Sequence, residues 1–518
     1  MKTMALWRST VIVSAMTMLS RILGLVRDMV LLNVFGAGKD FDTFVVAFRI
    51  PNFFRRLFAE GAFSQAFIPV LTEYKTSKTH EEVQILVSRV FGGLLLIMSL
   101  LTMVAMVAAP AILYVYAGGF ADDPEKFAQL IDLFRLTFPY LLFMSLTAFA
   151  GSILNSYGSF TTPAFAPVLL NLSMIFAALF LAPKMYPDPA IMSLGWGVLI
   201  AGVLQLALQL PQLWRKKLLI PPKLDFKHEG VQRILKLMLP ALFGVSVTQI
   251  NLLLNTFWAS HMQDGSVSWL YTAERMTELP LGLIGVAIGT VILPSLSSRH
   301  AEQDATKFRA MIDWAAKVII LVGVPASIAL GMLATPIIQT LFQHGEFTLR
   351  DTQMTALALQ CMSAGVISFM LIKVFAPGFF AQQDTKTPVR IGVITVFANM
   401  FITIVLLGIF YLIGWKEQHM ALALASSGSA LVNAGLLYVA LHRRNIYRFE
   451  GHWKKTIMQF SIANIAMIIA LWFGLQWFDG DAGAWMRILM LALLCIVGAA
   501  TYAVVLLLVG FRPRHLRP

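Results

Sequence analysis

Apolar runs long enough to cross a membrane recur along nearly the whole chain. A membrane-spanning helix needs about 20 predominantly apolar residues, and charged, Pro-rich or Gly-rich breaks divide this sequence into fourteen such segments. Their approximate bounds are 10–35, 41–72, 87–116, 130–155, 162–183, 190–213, 234–259, 267–297, 310–341, 353–381, 389–413, 421–441, 456–477 and 486–510. Hydrophobic residues make up 58% of the chain and charged residues 13%, against about 45–50% and about 25% in soluble domains. The sequence therefore predicts an all-α integral membrane protein with about fourteen transmembrane helices.

The distribution of basic residues predicts the orientation of these helices. If the N-terminus is cytoplasmic, the cytoplasmic segments hold 23 Lys and Arg residues and the extracytoplasmic segments hold five. Short loops rich in Lys and Arg stay on the cytoplasmic side of a membrane. We therefore expect a multi-pass protein with both termini in the cytoplasm. The net charge of +13 is explained by these loops and requires no nucleic acid partner.

Two proline motifs recur at one spacing. The separation from Pro69 to Pro294 equals the separation from Pro163 to Pro388, and it is called the repeat interval below. Six helices per copy is an even number and preserves orientation, so this interval favours a parallel repeat of six-helix units. The predicted division is an N-terminal lobe over 1–225, a C-terminal lobe over 226–450, and two further helices with a cytoplasmic tail over 451–518.

Several predicted spans carry ionisable residues that a lipid-facing helix would not tolerate. One arginine at the bilayer centre costs about 2.5–3.5 kcal/mol on insertion scales, so four would cost about 10 kcal/mol or more. These side chains must therefore face a hydrated cavity or pair with acids. They are Arg21, Arg27 and Asp28 in the first span, Asp42, Arg49, Arg55, Arg56 and Glu60 in the second, Glu274, Arg275 and Glu278 in the eighth, and Lys373 in the tenth.

Two interpretations of this cluster stay open. In one, internal ion pairs fix helix packing, and the candidate pairs are Arg21 with Asp28, Arg55 or Arg56 with Glu60, and Arg275 with Glu274 or Glu278. In the other, the arginines line a substrate cavity at the junction of the two repeats, where transporters of this kind bind their substrates. A guanidinium group donates paired hydrogen bonds and stays charged, which suits a phosphate. The second interpretation predicts an anion-binding cavity.

Motifs of nucleotide-dependent and hydrolytic enzymes are absent from the sequence. There is no G-x-x-x-x-G-K-[ST] phosphate loop, no G-x-G-x-x-G, no G-x-S-x-G and no H-E-x-x-H. The two cysteines, Cys361 and Cys495, show no metal-ligand spacing. We expect a transporter rather than an enzyme, with no metal site and no cofactor. Its energy source would be the membrane potential or an ion whose identity the sequence does not give.

Motifs spread over essentially the full chain resemble one known family. The two longest are SRILGLVRD at 20–28 and PNFFRRLFAEGAFSQAF at 51–67. Shorter ones are PAFAP at 163–167, GSVSW at 265–269, KVFAPGF at 373–379 and DTKTP at 384–388. Together they resemble the MurJ, or MviN, family of lipid II flippases, which belongs to the MATE-like exporter superfamily.

The resemblance implies a fold and a site. The fold would be two pseudo-symmetric six-helix lobes in a V around a central cationic cavity, with two C-terminal helices that form a lipid groove. The implied substrate-binding residues are Arg21, Arg27, Arg55 and Arg275, with Asp28, Asp42, Glu60 and Glu274 as associated gating acids. Secondary candidates are Arg49, Arg56, Ser266, Glu278 and Lys373, and candidate hinges are Gly24, Pro51 and Pro280. Span 11 has no acidic residue, so the sodium site of some relatives is not expected.

The resemblance also implies a function and a location. We expect a flippase of the bacterial cytoplasmic (inner) membrane that moves undecaprenyl-diphosphate-linked muropeptide, lipid II, to the outer leaflet by alternating access. In this hypothesis the arginines bind the diphosphate, and the acids compete for the arginines when the cavity turns outward. The expected partners are lipid II, membrane lipids and proteins of cell-wall synthesis.

Two alternatives remain. An exporter of another polyprenyl-diphosphate-linked glycan would need the same cationic cavity, whereas an exporter of cationic drugs would need an acidic one. A membrane scaffold or glycosyltransferase of cell-wall synthesis is the second alternative. A glycosyltransferase would need a catalytic carboxylate in an extracytoplasmic loop, and the candidates are Asp122, Asp123, Asp479 and Asp481.

Overall fold

The computed structural model describes residues 2–57, 63–185, 189–282, 286–449 and 452–512, and the regular structure within these ranges is helical. The α-helices are α1 Lys2–Phe35, α2 Lys39–Arg55, α3 Phe63–Ser77, α4 His80–Val107, α5 Ala109–Ala117, α6 Pro124–Thr137, α7 Tyr140–Ser156, α8 Thr161–Phe176, α9 Met192–Arg215, α10 Glu229–Ser260, α11 Ser266–Pro280, α12 Val286–Ala301, α13 Ala305–Met332, α14 Ala334–Phe342, α15 Leu349–Phe380, α16 Lys386–Ile413, α17 His419–Arg443, α18 His452–Leu475 and α19 Ala484–Leu508. A short 3₁₀ turn, Gly118–Asp122, joins α5 to α6.

Membrane-spanning helices dominate this architecture, which confirms the predicted class. Within the described ranges, ten helical segments are long and apolar enough to cross a membrane. The remaining predicted spans correspond to α1, to α2 with α3, to α10, and to α11 with α12. Three of these helices, α1, α2 and α11, carry charged residues noted above, and such residues lower the mean hydropathy of a helix.

Helix bounds recur at the repeat interval that the prolines show. Helices α4 and α13 are both 28 residues long, and their first residues, His80 and Ala305, are separated by that interval. Helices α5 and α14, nine residues each, start at Ala109 and Ala334, again one interval apart. The caps repeat as well, because Thr79 and Asp304 accept backbone hydrogen bonds at the starts of α4 and α13. The repeat therefore extends from sequence to local structure.

The segments that follow the sixth and the twelfth predicted spans dock at equivalent positions of α4 and α13. The Ser88 hydroxyl of α4 donates to Pro221 O over 2.6 Å, and Gly92 allows this close approach because a Cβ there would lie 2.3 Å from Lys223 O. Asp313 of α13 lies one repeat interval after Ser88. It accepts the Tyr447 hydroxyl over 2.9 Å and the Trp453 indole N–H over 2.6 Å. Ser88 and Asp313, which are one repeat interval apart, thus each hold one of the two segments.

Contacts divide the chain into two compact units, Met1–Val267 and Ser268–Pro518. In unit 1, one apolar core joins α3, α4, α7 and the start of α10. In unit 2, a core joins α12, α13, α15 and α17, and a second joins α18 with α19. Helix α10 packs against α3, α4 and α5 in unit 1, although it lies beyond the predicted end of the N-terminal lobe. The predicted lobe bounds at 225 and 450 stay a prediction.

Candidate functional site

Arg27 and Asp28 form a buried ion pair where α1 packs on α8. Both residues are 4% exposed, and Arg27 Nη2 lies 2.6 Å from Asp28 Oδ1. Arg27 Nη1 also donates to Asn171 Oδ1 of α8 over 3.1 Å, and the Asn171 amide donates to Ser20 O over 3.0 Å. Asp28 therefore pairs with Arg27 rather than with the predicted Arg21, which is exposed.

Two arginines of α2 and Arg56, which caps its C-terminus, contact α2 itself and α10. Arg49 Nη1 donates to Leu252 O over 3.3 Å and to the Thr256 hydroxyl. Arg56 Nη1 lies 3.5 Å from Gln249 Oε1. Arg55 Nε instead donates to Asn52 Oδ1 over 2.8 Å within α2. The polar face of α10 therefore holds two of the three arginines.

The predicted pairing of Arg55 or Arg56 with Glu60 involves a residue outside the described ranges, because Glu60 lies between 57 and 63.

Asp42 is 1% exposed, and its Oδ2 accepts the Gly265 N–H over 2.7 Å. Lys126 Nζ lies 3.9 Å from the same oxygen. Ser266, the neighbour of Gly265, is fully buried. Asp42 and these three neighbours lie at the predicted extracytoplasmic end of their helices.

In unit 2, Arg275 and its neighbours on α11 form a partly exposed charged group. Arg275 Nη1 donates to Glu278 Oε2 over 3.0 Å, and its Nε donates to the Tyr271 hydroxyl over 3.3 Å. Arg275 thus pairs with Glu278, one of its two predicted partners, and the other, Glu274, is half-buried. Lys373 of α15 is exposed. An ion pair in water is weak, and a guanidinium group is well suited to hydrogen bonding with an anion.

The three candidate hinges differ in their helical context. Helix α1 runs unbroken through Gly24, where an added Cβ would make an ordinary 3.8 Å contact with Asn171. Helix α2 continues through the buried Pro51, and α11 ends at Pro280. A proline inside a helix removes one backbone hydrogen bond. Bending at these positions stays a prediction.

Two of the four carboxylates that a glycosyltransferase could use, those of Asp123 and Asp479, have structural partners. Asp123 caps α6 through the backbone N–H groups of Glu125 and Lys126 and pairs with Lys39 over 2.7 Å. The hydrogen bond from Lys39 lowers the pKa of Asp123, so Asp123 is a poor general acid. Asp479 Oδ1 accepts the Asp481 N–H over 2.9 Å in a surface turn. These contacts favour a structural role for Asp123 and Asp479.

The turn between α15 and α16 is fixed by Asp384. Its carboxylate accepts the Thr387 hydroxyl over 2.6 Å and Arg444 Nη1 over 2.6 Å. The Thr387 hydroxyl, with further help from Arg444, lowers the pKa of Asp384 to about 2. Asp384 therefore stays ionised throughout the physiological range.

Asp384→Asn is expected to lower the thermal unfolding midpoint by the same amount at pH 8 and at pH 5. A carboxylate with a depressed folded-state pKa contributes stability above its unfolded value, here 3.8, and loses it only as the pH falls through about 2. Unfolding of wild type and variant in detergent, followed by tryptophan fluorescence at both pH values, measures this difference. A difference that vanishes at pH 5 would show that the carboxylate is not held by Thr387 and Arg444.

Sequence reasoning missed the neutral and oppositely charged partners of these residues. Asn171 and Gln249 hold Arg27 and Arg56, and Thr256 holds Arg49. Polar residues inside apolar helices were the available signal for them. Lys126 gave no signal, because a lysine in a short loop is typical of a solvated surface.

Each unit carries basic side chains of a kind that suits recognition of an anion. Arginine donates paired hydrogen bonds to phosphate oxygens, and such bonds are stronger than those between neutral groups. Within the described residues, no group of three or more His, Cys, Asp or Glu is placed to hold a metal ion. Unit 1 offers the exposed Arg21, and unit 2 offers Arg275 and Lys373.

Known proteins match the chain over nearly its full length. The family model described as "Lipid II flippase MurJ" matches residues 31–494. A "Probable lipid II flippase MurJ" of Haemophilus influenzae is 44% identical, covering 97% of this chain and 99% of the relative. A "Lipid II flippase MurJ" of Burkholderia cenocepacia is 38% identical, covering 99% of both chains.

Solved structures show the same fold. "Lipid II flippase MurJ, inward closed conformation" aligns with a TM-score of 0.79 at 27% identity, covering 96% of this chain and 98% of that one. An inward-facing multidrug resistance MATE family transporter of the MOP superfamily aligns with a TM-score of 0.66 at 14% identity, covering 84% and 98%. The second likeness concerns the fold alone.

Proposed function

Since this chain belongs to the lipid II flippase MurJ family, we propose that it binds lipid II through the arginines of α1, α2 and α11 and moves it across the membrane. The chain is a multi-pass membrane transporter, a lipid II flippase and not an enzyme, and so serves peptidoglycan synthesis. The observation that carries this assignment is the family match over residues 31–494. The ionisable residues inside the spans supply the physical reason, since a lipid-facing helix would not retain them.

We propose fourteen transmembrane helices, arranged as two six-helix lobes around a central cationic cavity with α18 and α19 outside the repeat. The helix bounds that recur at the repeat interval support the two lobes. We also propose the bacterial inner membrane and cytoplasmic termini, which the excess of Lys and Arg in one set of loops supports. The exposed apolar side chains of α18 and α19, among them Ile465 and Leu493, suit contact with lipid chains.

The proposed mechanism is alternating access. Arg21, Arg27, Arg55 and Arg275 bind the diphosphate from the cytoplasmic side, and Asp28, Asp42, Glu60 and Glu274 compete for them when the cavity turns outward. Arg21 and Arg275 have exposed surface for such contacts. Arg27 is buried against Asp28 and Asn171, so its contact with a substrate requires that pair to open.

We propose that the energy comes from the membrane potential or an ion gradient and that no cofactor takes part. Several arginines close to one another in a cavity would respond to the membrane potential, since one charge moved across about 100 mV changes energy by about 2.3 kcal/mol. Proteins of cell-wall synthesis, which supply and consume lipid II, are the proposed partners.

Expression of this chain in bacteria depleted of their own flippase is expected to restore lipid II in the outer leaflet of the inner membrane. Labelling of lipid II on spheroplasts measures this exposure. A chain present in the membrane that restores no exposure would contradict the proposed substrate and favour another polyprenyl-diphosphate-linked glycan. Growth restored without exposure would favour a scaffold function.

A further inference from the structure

A basic segment on the predicted cytoplasmic side of unit 1 carries exposed apolar side chains that the function described above does not use. It covers residues 214–227, the end of α9 and the chain that follows, and is called the basic strap below. Its exposed apolar residues, between 40% and 71% exposed, are Trp214, Leu219, Leu224 and Phe226. Its basic residues are Arg215, Lys216, Lys217, Lys223 and Lys227, against one acid, Asp225. Large apolar side chains exposed together on a polar segment are typical of an interaction surface.

The basic strap is held along α4. Gln84 Nε2 of α4 donates to Lys217 O over 2.7 Å, and Arg89 Nη1 lies 3.1 Å from Asp225 Oδ2. The docking of the strap on Ser88, described above, lies between these two contacts. The contacts follow the same order on α4 and on the strap, so the strap runs along α4 away from the start of that helix.

The far end of the strap reaches the part of α4 that is predicted to span the membrane. Gly93 lies about 9 Å inside the start of predicted span 87–116, since an α-helix rises about 1.5 Å per residue. A Cβ at Gly93 would lie 3.3 Å from Phe226 Cε1, so the ring packs directly against α4 here. Phe226 and Ile97 line one apolar cleft, and Ile97 and Leu100 are exposed on this helix. The apolar surface of the strap therefore continues into the exposed apolar surface of a spanning helix.

The turn between α3 and α4, on the same predicted side of unit 1, differs from the strap. Residues 75–80 are all exposed and all polar. Lys78 in this turn lies 3.8 Å from Glu82 in an exposed ion pair. These features are typical of a segment in water. The apolar side chains of the strap are therefore not a general property of the loops on this side.

We propose that the basic strap lies in the headgroup region of the cytoplasmic leaflet and binds anionic phospholipid there. Leu219, Leu224 and Phe226 enter the boundary of the acyl chains, since an interfacial segment buries its apolar side chains about 5–10 Å into this boundary. The lysines contact lipid phosphates, because the anionic cytoplasmic leaflet attracts basic segments close to its surface. An acidic cytosolic protein would match the charge but not the apolar continuity with α4. The proposal goes beyond lipid II transport and rests only on the proposed cytoplasmic orientation.

Spin labels at Leu224→Cys and at Lys78→Cys test the depth of the strap. Each cysteine is introduced into a chain whose Cys361 and Cys495 are replaced by Ala and whose folding is verified first by thermal unfolding. In nanodiscs of phosphatidylethanolamine and phosphatidylglycerol, the label at 224 is expected to collide with a water-soluble nickel chelate about fivefold less often than the label at 78. It is expected to collide more often with oxygen, because oxygen concentrates in lipid.

Equal nickel collisions at the two positions would place the strap in water and overturn the proposal. Few collisions of the label at 224 with both reagents would show that protein covers the strap, which would also overturn it. Protection from nickel in native membranes but not in nanodiscs would indicate an acidic protein partner instead of lipid. Reaction of Lys78→Cys with an impermeant maleimide in intact spheroplasts would contradict the proposed orientation, so that failure is distinguishable.

A second test concerns the charge of the strap. Lys223→Gln with Lys227→Gln, made in the Leu224→Cys chain, is expected to raise nickel collisions at 224 about twofold or more. Replacing phosphatidylglycerol by phosphatidylcholine is expected to have a similar effect on the unaltered strap. Lys78→Gln with Lys307→Gln removes the same charge from exposed ion pairs elsewhere and is expected to leave the collisions unchanged. Collisions that respond neither to the two strap lysines nor to phosphatidylglycerol would overturn the binding of anionic lipid.

Discussion

Replacing Arg21 and Arg275 together by Ala is expected to abolish lipid II exposure at unchanged membrane levels. These arginines have accessible surface in α1 and α11, and a diphosphate gains about 1.5–3 kcal/mol from each charged hydrogen bond. Loss of both guanidinium groups should therefore reduce binding by about two orders of magnitude or more. The lipid II exposure assay in flippase-depleted cells measures the effect.

Arg299→Ala is a matched control, since Arg299 pairs over 2.8 Å with Glu302 at a partly exposed position outside the proposed site. It is expected to support normal exposure. Arg21→Lys with Arg275→Lys is expected to be intermediate, because an ammonium group keeps the charge but loses the planar paired donors. Normal exposure with both alanines present would show that these arginines only pack the helices, and the proposed site would be wrong.

Asp28→Ala is expected to lower the free energy of unfolding by about 3–5 kcal/mol, because it leaves the buried Arg27 guanidinium without its paired carboxylate. The ion pair is short, 2.6 Å, and both side chains are 5% exposed, so water cannot readily replace the lost partner. Thermal unfolding of the purified chain in detergent measures the change as a lower midpoint.

The double variant Arg27→Met with Asp28→Ala is expected to recover much of the lost stability. It removes both charges and leaves no unpaired ion of this pair at the interface of α1 with α8. If the double variant is stable, it can be tested for lipid II exposure. Loss of exposure in a stable variant would then indicate a transport function of the pair in addition to its packing function. A single variant as stable as wild type would contradict the burial of this pair.

Local properties of the sequence predicted the class of the protein correctly. Hydropathy depends on each segment alone, so α4, α9 and α16 follow from their own residues. The interval between the paired prolines also separates the starts of α4 and α13. The cluster of charges in the first, second and eighth predicted spans indicated the candidate site for the same reason, since a charge is costly in any lipid-facing helix.

The partners of those charges depend on residues far apart in the chain. Spacing along α1 favoured Arg21 as the partner of Asp28, but the side chain of Arg27 lies toward α8 and takes that place, with Asn171, 144 residues away, completing the interaction. Lys126 and Asp264 are 138 residues apart, and each alone is typical of a solvated loop residue. Such pairings follow from how α1, α6 and α10 pack in three dimensions.

The sequence alone thus determined that the chain is a helical membrane protein with an unusual set of arginines in its predicted spans. The physical reason is that the free energy of placing an apolar or a charged side chain in lipid depends on that side chain itself. Only the tertiary structure decided which arginines are buried in ion pairs, which stay exposed, and that α10 packs in unit 1. The physical reason is that the free energy of a buried charge is set by the side chains around it, and packing rather than sequence proximity brings those side chains together.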